Sequence, residues 1–157
     1  MGNKKHPILI SWIGGNDIKA LAGEEQGPIC ATLKTISFQK VELLYSYPEE
    51  LVQPYLDYAH QAPLTSPVNF SEIYQQANQH LNRLKAEGHS LAILLSPGTP
   101  AMQSIWVLLG KARFPCTYYE PSCEAGVQQV DTPLKRQRNT LPLLVASAVR
   151  SSLSWPC

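Results

Sequence analysis

The segment that most constrains the fold is residues 91–102, where an apolar run ends at a small polar turn and a helix begins at once. Residues 91–95 are all apolar, as in a strand buried on both faces of a parallel sheet. Thr99 is a favourable N-cap residue, and Pro100 suits the first position of a helix. The pattern therefore predicts a strand, a tight turn and a helix in direct succession.

The turn in this segment has features of a ligand site. Gly98 permits a sharp bend and lets another group approach the backbone closely. Free N–H groups and the positive end of the helix dipole attract phosphate and other anions. An ordinary strand-to-helix turn is the alternative. The ligand site is favoured because a second loop of small residues, 14–17, follows the first predicted strand.

The rest of the chain repeats the alternation of strand and helix. Strands are predicted at residues 7–13, 41–45, 64–68, 91–96 and 115–119, with a short sixth at 127–130. Helices are predicted to begin at Pro28, Pro48, Phe70 and Pro100, and a last one to span residues 141–153. Residues 17–26 are expected to be a long loop. This order favours an α/β fold with an open, mostly parallel sheet of five or six strands and helices on both faces.

The length of 157 residues suits one domain with a sizeable core. We expect residues 1–133 to form a ligand-sensing domain. Residues 134–157 are expected to form a C-terminal connector and helix that lead to domains outside this chain, because the sequence stops abruptly after Trp155-Pro156-Cys157.

Charge and cysteine usage narrow the class of protein. The formal net charge is only +1, so no electrostatic footprint for duplex nucleic acid or a membrane surface stands out. No apolar segment is long enough to span a bilayer, and no signal-peptide pattern opens the chain. Four cysteines lie at irregular spacings without histidines at metal-ligand distance. A cytoplasmic protein with reduced thiols and no metal site is expected.

Familiar catalytic motifs are absent from the sequence. The chain has no Gly-x-Gly-x-x-Gly, no P-loop and no Gly-x-Ser-x-Gly elbow. The second predicted strand ends in Ser46, where a dinucleotide enzyme would carry a ribose-binding acid. What remains is a polar crevice with few groups able to move a proton. This favours binding over catalysis, with no cofactor and no catalytic residue.

The position of the crevice follows from the expected sheet. Ligands on such sheets bind beyond the C-terminal strand ends, where the strand order reverses. If the first and fourth strands are neighbours there, residues 13–17 and 96–102 line one crevice. The helix from Pro100 is apolar almost all round, so it needs cover from the sheet and a subunit partner, or from its own domain alone. The sequence leaves both open.

Three segments resemble a known family. Residues 96–102 (Ser-Pro-Gly-Thr-Pro-Ala-Met) resemble the strand-four motif of CARF domains, the CRISPR-associated Rossmann-fold domains. Residues 68–74 and 106–115 are similar to the N-terminal sensor domains of RtcR-type sigma-54-dependent transcriptional regulators. Together these similarities cover most of residues 7–133. The chain departs from the commonest motif in two places. Ser96-Pro97 replaces one of the usual pairs of small residues, and Pro100 stands where many members carry a basic residue or histidine.

The resemblance implies a Rossmann-like homodimer that binds a cyclic oligoadenylate, or a related RNA-derived nucleotide, across its two-fold axis. In RtcR-type regulators this domain precedes an ATPase module and a DNA-binding module, so DNA contact would come only through domains not present here. Trp12 is a base-stacking candidate, with a place in the core as its alternative. Carried onto this chain, the ligand-binding residues are Ser11, Trp12, Gly14, Gly15, Asn16, Asp17, Ser96, Pro97, Gly98, Thr99 and Met102.

The sequence therefore leaves three functions open, each from a different class. The first is a dimeric sensor that controls a downstream effector, such as a sigma-54-type transcription activator. The second is a ring nuclease that cleaves the same cyclic ligand, suggested by the hydroxyls of Ser11, Ser96 and Thr99. The third is a structural dimerisation module without a ligand, suggested by the apolar fourth helix.

Overall fold

The computed structural model describes residues 7–21, 23, 26–122 and 126–130, which form a six-stranded sheet. The strands run in the spatial order β3-β2-β1-β4-β5-β6. The first five are parallel, and β6 is antiparallel to β5. This confirms the predicted mostly parallel α/β sheet. The strands are β1 (Ile8–Trp12), β2 (Lys40–Tyr45), β3 (Ala59–Gln61), β4 (Leu91–Leu94), β5 (Cys116–Ser122) and β6 (Gly126–Val130).

Helices cover both faces of the sheet. They are α1 (Gly15–Leu21), α2 (Pro28–Thr35), α3 (Phe70–Ala86) and α4 (Pro100–Ala112), with a 3-10 helix at Glu49–Tyr55. Alternate residues of β1 point to opposite faces. Ile8 and Ile10 pack against buried residues of α3 and α4. Leu9 packs in a second cluster with residues of α2 and the 3-10 helix.

The third strand was predicted in the wrong place. It lies at residues 59–61, at one edge of the sheet, whereas residues 64–68 form an irregular segment that ends in a turn at residues 67–68. The Glu72 side chain in the first turn of α3 accepts hydrogen bonds from Thr65 N at 2.7 Å and Thr65 Oγ1 at 2.8 Å. These bonds hold the segment against the helix end, so its apolar residues do not enter the sheet.

The expectation of a long loop over residues 17–26 was also wrong, because α1 occupies Gly15–Leu21. Pro54 lies inside the 3-10 helix, which replaces the regular helix expected after Pro48. The predicted helix at 141–153 and the domain boundary at residue 133 lie outside the described residues. In the described part of the chain, no helix combines the length and apolar character needed to cross a bilayer.

The apolar helix α4 is largely covered by its own domain. Met102, Ile105, Trp106 and Leu109 are all at most 5% exposed. Leu108 is 47% exposed and is the large apolar residue of α4 that faces outward. The buried side of α4 packs on the sheet and beside α3, so most of its hydrophobic stabilisation arises within the chain.

A buried carboxylate joins β2 to α3. Glu42 is fully buried and accepts a hydrogen bond from Arg83 of α3. His80 Nδ1 and His60 Nε2 each lie 3.4 Å from one of its oxygens. Burial by itself would raise the pKa of Glu42, but the contacts with His80 and Arg83 and the charge of Arg83 lower the pKa to about 2 from its ordinary 4.5.

This lowered pKa makes stability depend on pH in a definite direction. The charged form of Glu42 stabilises the fold above pH 4.5, and this contribution disappears as the pH falls towards 2. We expect Glu42→Gln to lower the free energy of unfolding by about 2–3 kcal/mol at pH 7 and by much less near pH 2.5. Urea unfolding at both pH values measures this, with the exposed Glu50→Gln as a control. If Glu42→Gln lowers the free energy of unfolding by the same amount at both pH values, the result would contradict this expectation.

Candidate functional site

The two small-residue loops meet above the centre of the sheet. β1 and β4 are neighbours, and the chain continues from them to opposite sides, so the strand order reverses between them. A Cβ atom built on Gly14 would lie 2.6 Å from Gly98 N and 3.2 Å from Pro97 Cα. The loops after β1 and β4 therefore touch through their backbones, which requires glycine at residue 14.

The loop after β4 is fixed by hydrogen bonds at the start of α4. Gly98 has a φ of +97°, which residues with side chains rarely adopt. Thr99 Oγ1 accepts a hydrogen bond from Met102 N at 3.3 Å and donates one to Pro67 O at 2.7 Å. This confirms Thr99 as the N-cap and Pro100 as the first helical residue. It also ties α4 to the segment that precedes α3.

The loop after β1 is fixed by Asp17, which is fully buried. Its carboxylate accepts hydrogen bonds from Gly14 N and from Ile29 N, each at 3.0 Å. One side chain thus joins the first turns of α1 and α2. Burial raises the pKa of Asp17 above its usual range, while the N–H groups of Ile29 and Gly14 act in the opposite direction. Asp17 positions the loop and does not line the cavity described next.

A cavity of about 390 Å³ lies beside the two loops, at the carboxyl ends of the central strands. Its wall combines aromatic, aliphatic, glycine and hydroxyl-bearing residues, and none of them is charged at neutral pH. The lining residues are Trp12, Ile13, Gly15, Ser46, Tyr47, Leu64, Pro67, Gly98, Thr99 and Met102. Such a largely apolar cavity with a few polar groups is typical of small-molecule sites.

Five of the predicted ligand-binding residues line this cavity, namely Trp12, Gly15, Gly98, Thr99 and Met102. Trp12 lies in the core, which confirms the alternative to base stacking. It is only 1% exposed, and its ring centroid lies 6.4 Å from that of Trp106 in the core, yet it also forms part of the cavity wall.

The other six predicted residues lie outside the cavity wall. Gly14 and Pro97 form the contact between the loops. Ser11 is buried, and its hydroxyl donates to Trp12 O at 2.9 Å. Asn16 is exposed on α1, and Asp17 joins the two helix ends. Ser96 Oγ is buried and has no hydrogen-bond partner in the described part of the chain.

Sequence reasoning missed five of the lining residues. They are Ile13, Ser46, Tyr47, Leu64 and Pro67. Ile13 belongs to residues 13–17, which were expected to line the crevice, but it was not among the predicted ligand-binding residues. Ser46 and Tyr47 follow β2, which pairs with β1 in parallel. Carboxyl ends of neighbouring parallel strands meet at one edge of the sheet, so the end of β2 was a signal for these two residues. Leu64 and Pro67 lie in the segment wrongly predicted as a strand.

The wall of the cavity carries few groups that can transfer a proton. No carboxylate, imidazole, amine or thiol belongs to the residues that line the cavity. The Thr99 hydroxyl is already engaged by Met102 N and Pro67 O. Nor do the described residues include a group of three histidine, cysteine or acidic side chains able to hold a metal ion. The wall can enclose an uncharged, planar or apolar group and offers few means to move a proton.

Fold and cavity together define an α/β protein with a largely apolar cavity at the switch point of a mostly parallel sheet. Among solved structures, the chain is similar to Enterococcus italicus Csm6 bound to cyclic hexa-2'-fluoro-hexa-dAMP, with a TM-score of 0.60 and 15% identity over 96% of this chain and 39% of that one. The chain is also similar to Vibrio cholerae protein VC1899, with a TM-score of 0.55 and 12% identity over 84% of this chain and 34% of that one.

A third similar structure is a Type III CRISPR defence DNA nuclease activated by cyclic oligoadenylate. Its TM-score is 0.50 at 16% identity, over 74% of this chain and 19% of that one. No protein-family model matches the chain, and no curated protein matches it in sequence. The chain thus spans well under half the length of these structures, and the similarity confirms its Rossmann-like α/β fold.

Proposed function

We propose that this chain is a CARF-type sensing domain that binds a cyclic oligoadenylate, or a related RNA-derived nucleotide, in the cavity beside the loops after β1 and β4. The observation that carries the proposal is the backbone contact between Gly14 and Gly98, which brings both predicted loops to one cavity at the switch point. Two of the similar structures are described as bound to, or activated by, a cyclic oligonucleotide. This likeness supports the same ligand class here.

The size of the cavity supports a ligand that is shared between two copies of the chain. About 390 Å³ lies at the low end of the roughly 300–1,000 Å³ typical of ligand pockets. A ring of four or six nucleotides exceeds that space, so we propose that two copies of the chain hold one ring across a two-fold axis. Ligand would then favour one dimer arrangement and shift its population. A downstream effector, such as a sigma-54-type activator in the cytoplasm, would respond.

Binding without cleavage is the favoured activity, because the cavity wall offers no group that titrates near neutral pH. Chromatography of the ligand after prolonged incubation with the protein tests this directly. Intact ligand is expected. A linear product would instead identify a ring nuclease.

Calorimetric titration tests the proposed function. We expect saturable binding of at least one of three probes: cyclic tetra-adenylate, cyclic hexa-adenylate, or RNA that ends in a 2′,3′-cyclic phosphate. Linear tetra-adenylate is the control and should bind more weakly, because it is not pre-organised as a ring. At a probe concentration about 100 times Kd, the midpoint of thermal unfolding should rise by roughly 5–10 °C. If no probe gives a heat of binding or raises the midpoint of thermal unfolding, the result would contradict the sensor and favour a dimerisation module without a ligand.

A further inference from the structure

Tyr47 is the large aromatic residue of the cavity that remains open to solvent. It follows β2 and is 37% exposed. Its hydroxyl reaches across to α1, where it lies 3.7 Å from the position that a Cβ atom on Gly15 would occupy. The side chain therefore spans the space between the ends of β1 and β2 and forms a wall of the cavity. It belongs neither to the loop after β1 nor to the loop after β4.

The cavity suits a base better than a phosphate. A phosphate group needs cationic side chains or several free N–H groups, and no lining residue carries a positive charge. Two N–H groups of the lining residues are already bonded, since Thr99 N donates to Met102 Sδ at 3.4 Å and Met102 N donates to Thr99 Oγ1 at 3.3 Å. A planar base needs apolar surface and aromatic faces, which Tyr47 and the aliphatic lining provide.

Trp12 adds a second aromatic ring to the cavity wall. It is only 1% exposed, and its Nε1 is buried without an acceptor in the part of the chain that the structure describes. Trp12 therefore contributes apolar surface to the wall rather than a hydrogen-bond donor that a ligand can reach.

We propose that Tyr47 determines base specificity by stacking on a purine base that enters the cavity, while the sugar-phosphate part of the ligand stays outside it. This inference rests on the proposed function and deepens it, since it assigns the cavity to one base of a larger nucleotide. Stacking on an aromatic side chain is stronger for purines than for pyrimidines, because the larger ring system of a purine buries more apolar area.

Titration of cyclic tetra-adenylate into variants of the whole chain tests the role of Tyr47. Tyr47→Ala should weaken binding roughly 5- to 150-fold, the range found when a stacked aromatic is removed. Tyr47→Phe should keep the affinity, because it retains the ring. The wild-type chain should prefer cyclic tetra-adenylate to cyclic tetra-uridylate, and Tyr47→Ala should lose most of that preference. Tyr58→Ala is the matched control, since Tyr58 is 53% exposed and does not line the cavity.

A competition experiment tests the assignment to the base without any substitution. Adenosine should compete with cyclic tetra-adenylate for the wild-type chain, and ribose 5-phosphate should not. Competition by ribose 5-phosphate alone would overturn the assignment. Equal affinity of wild type and Tyr47→Ala, or an equal loss in Tyr58→Ala, would overturn the role of Tyr47 and leave the proposed function intact. Absence of binding of all three probes, cyclic tetra-adenylate, cyclic hexa-adenylate and RNA that ends in a 2′,3′-cyclic phosphate, to the wild-type chain would refute both.

Discussion

Asp17→Ala is expected to lower the free energy of unfolding by about 2–6 kcal/mol. The substitution leaves two buried backbone donors, Gly14 N and Ile29 N, without their acceptor. Each unsatisfied buried N–H costs about 1–3 kcal/mol. The backbones of the two helix ends are also packed closely, because a Cβ atom on Gly27 would lie 2.9 Å from Asp17 Cα, which the substitution leaves in place. Equilibrium unfolding in urea, followed by circular dichroism, measures the loss.

Two further variants show how much of this loss of stability comes from the hydrogen bonds of Asp17 and how much from removing a charge. Asp17→Asn keeps one oxygen acceptor and should lose about half as much stability as Asp17→Ala. Asp57→Ala removes an exposed carboxylate beyond the 3-10 helix and should change stability by less than about 0.5 kcal/mol. Similar effects of Asp17→Ala and Asp57→Ala would show that the carboxylate does not hold the two helix ends.

Gly14→Ala is expected to separate the two loops and to cost about 3 kcal/mol or more of stability. The added Cβ atom would lie 2.6 Å from Gly98 N, which is a backbone atom and cannot rotate away. Overpacking of this kind costs about 1–3 kcal/mol, and more where the backbone must move. Because Gly98 lines the cavity, binding of cyclic tetra-adenylate should weaken at least about tenfold. Urea unfolding and calorimetric titration measure the two effects.

The adjacent glycine provides the matched control. A Cβ atom on Gly15 would find its nearest neighbour at 3.7 Å, an ordinary contact. Gly15 is the first residue of α1, so Gly15→Ala should leave stability unchanged or raise it by up to about 1 kcal/mol. The two substitutions add the same methyl group one residue apart, and only Gly14→Ala should lower stability. A stable Gly14→Ala variant with normal binding would show that the loops do not need this contact.

Local patterns predicted the elements that local forces hold together. The apolar run at residues 91–95 became β4. Helix α3 begins at Phe70 as predicted, where Asn69 caps it by accepting a hydrogen bond from Glu72 N. Thr99 and Pro100 began α4 where the sequence placed them. In each case, the residues that decide the structure lie within one or two turns of each other, so the signal is contained in the sequence window itself.

The predictions failed where contacts between residues far apart in the sequence determine the local structure. Helix α1 is held partly by the bond between Asp17 and Ile29 N, twelve positions away, which no local pattern shows. Residues 64–68 have the composition of a strand, but Glu72 binds Thr65 and keeps them out of the sheet. Tyr47 was overlooked because its importance depends on β2 lying beside β1.

The sequence by itself determined the order of strands and helices, the open parallel sheet, and the two glycine loops at one edge, because hydrophobic periodicity and capping act over short stretches of chain. Only the tertiary structure decided which side chains form the cavity. Its wall combines the ends of β1 and β2, the start of α4 and the segment before α3. The packing of the whole sheet and its helices sets which of these residues face inward.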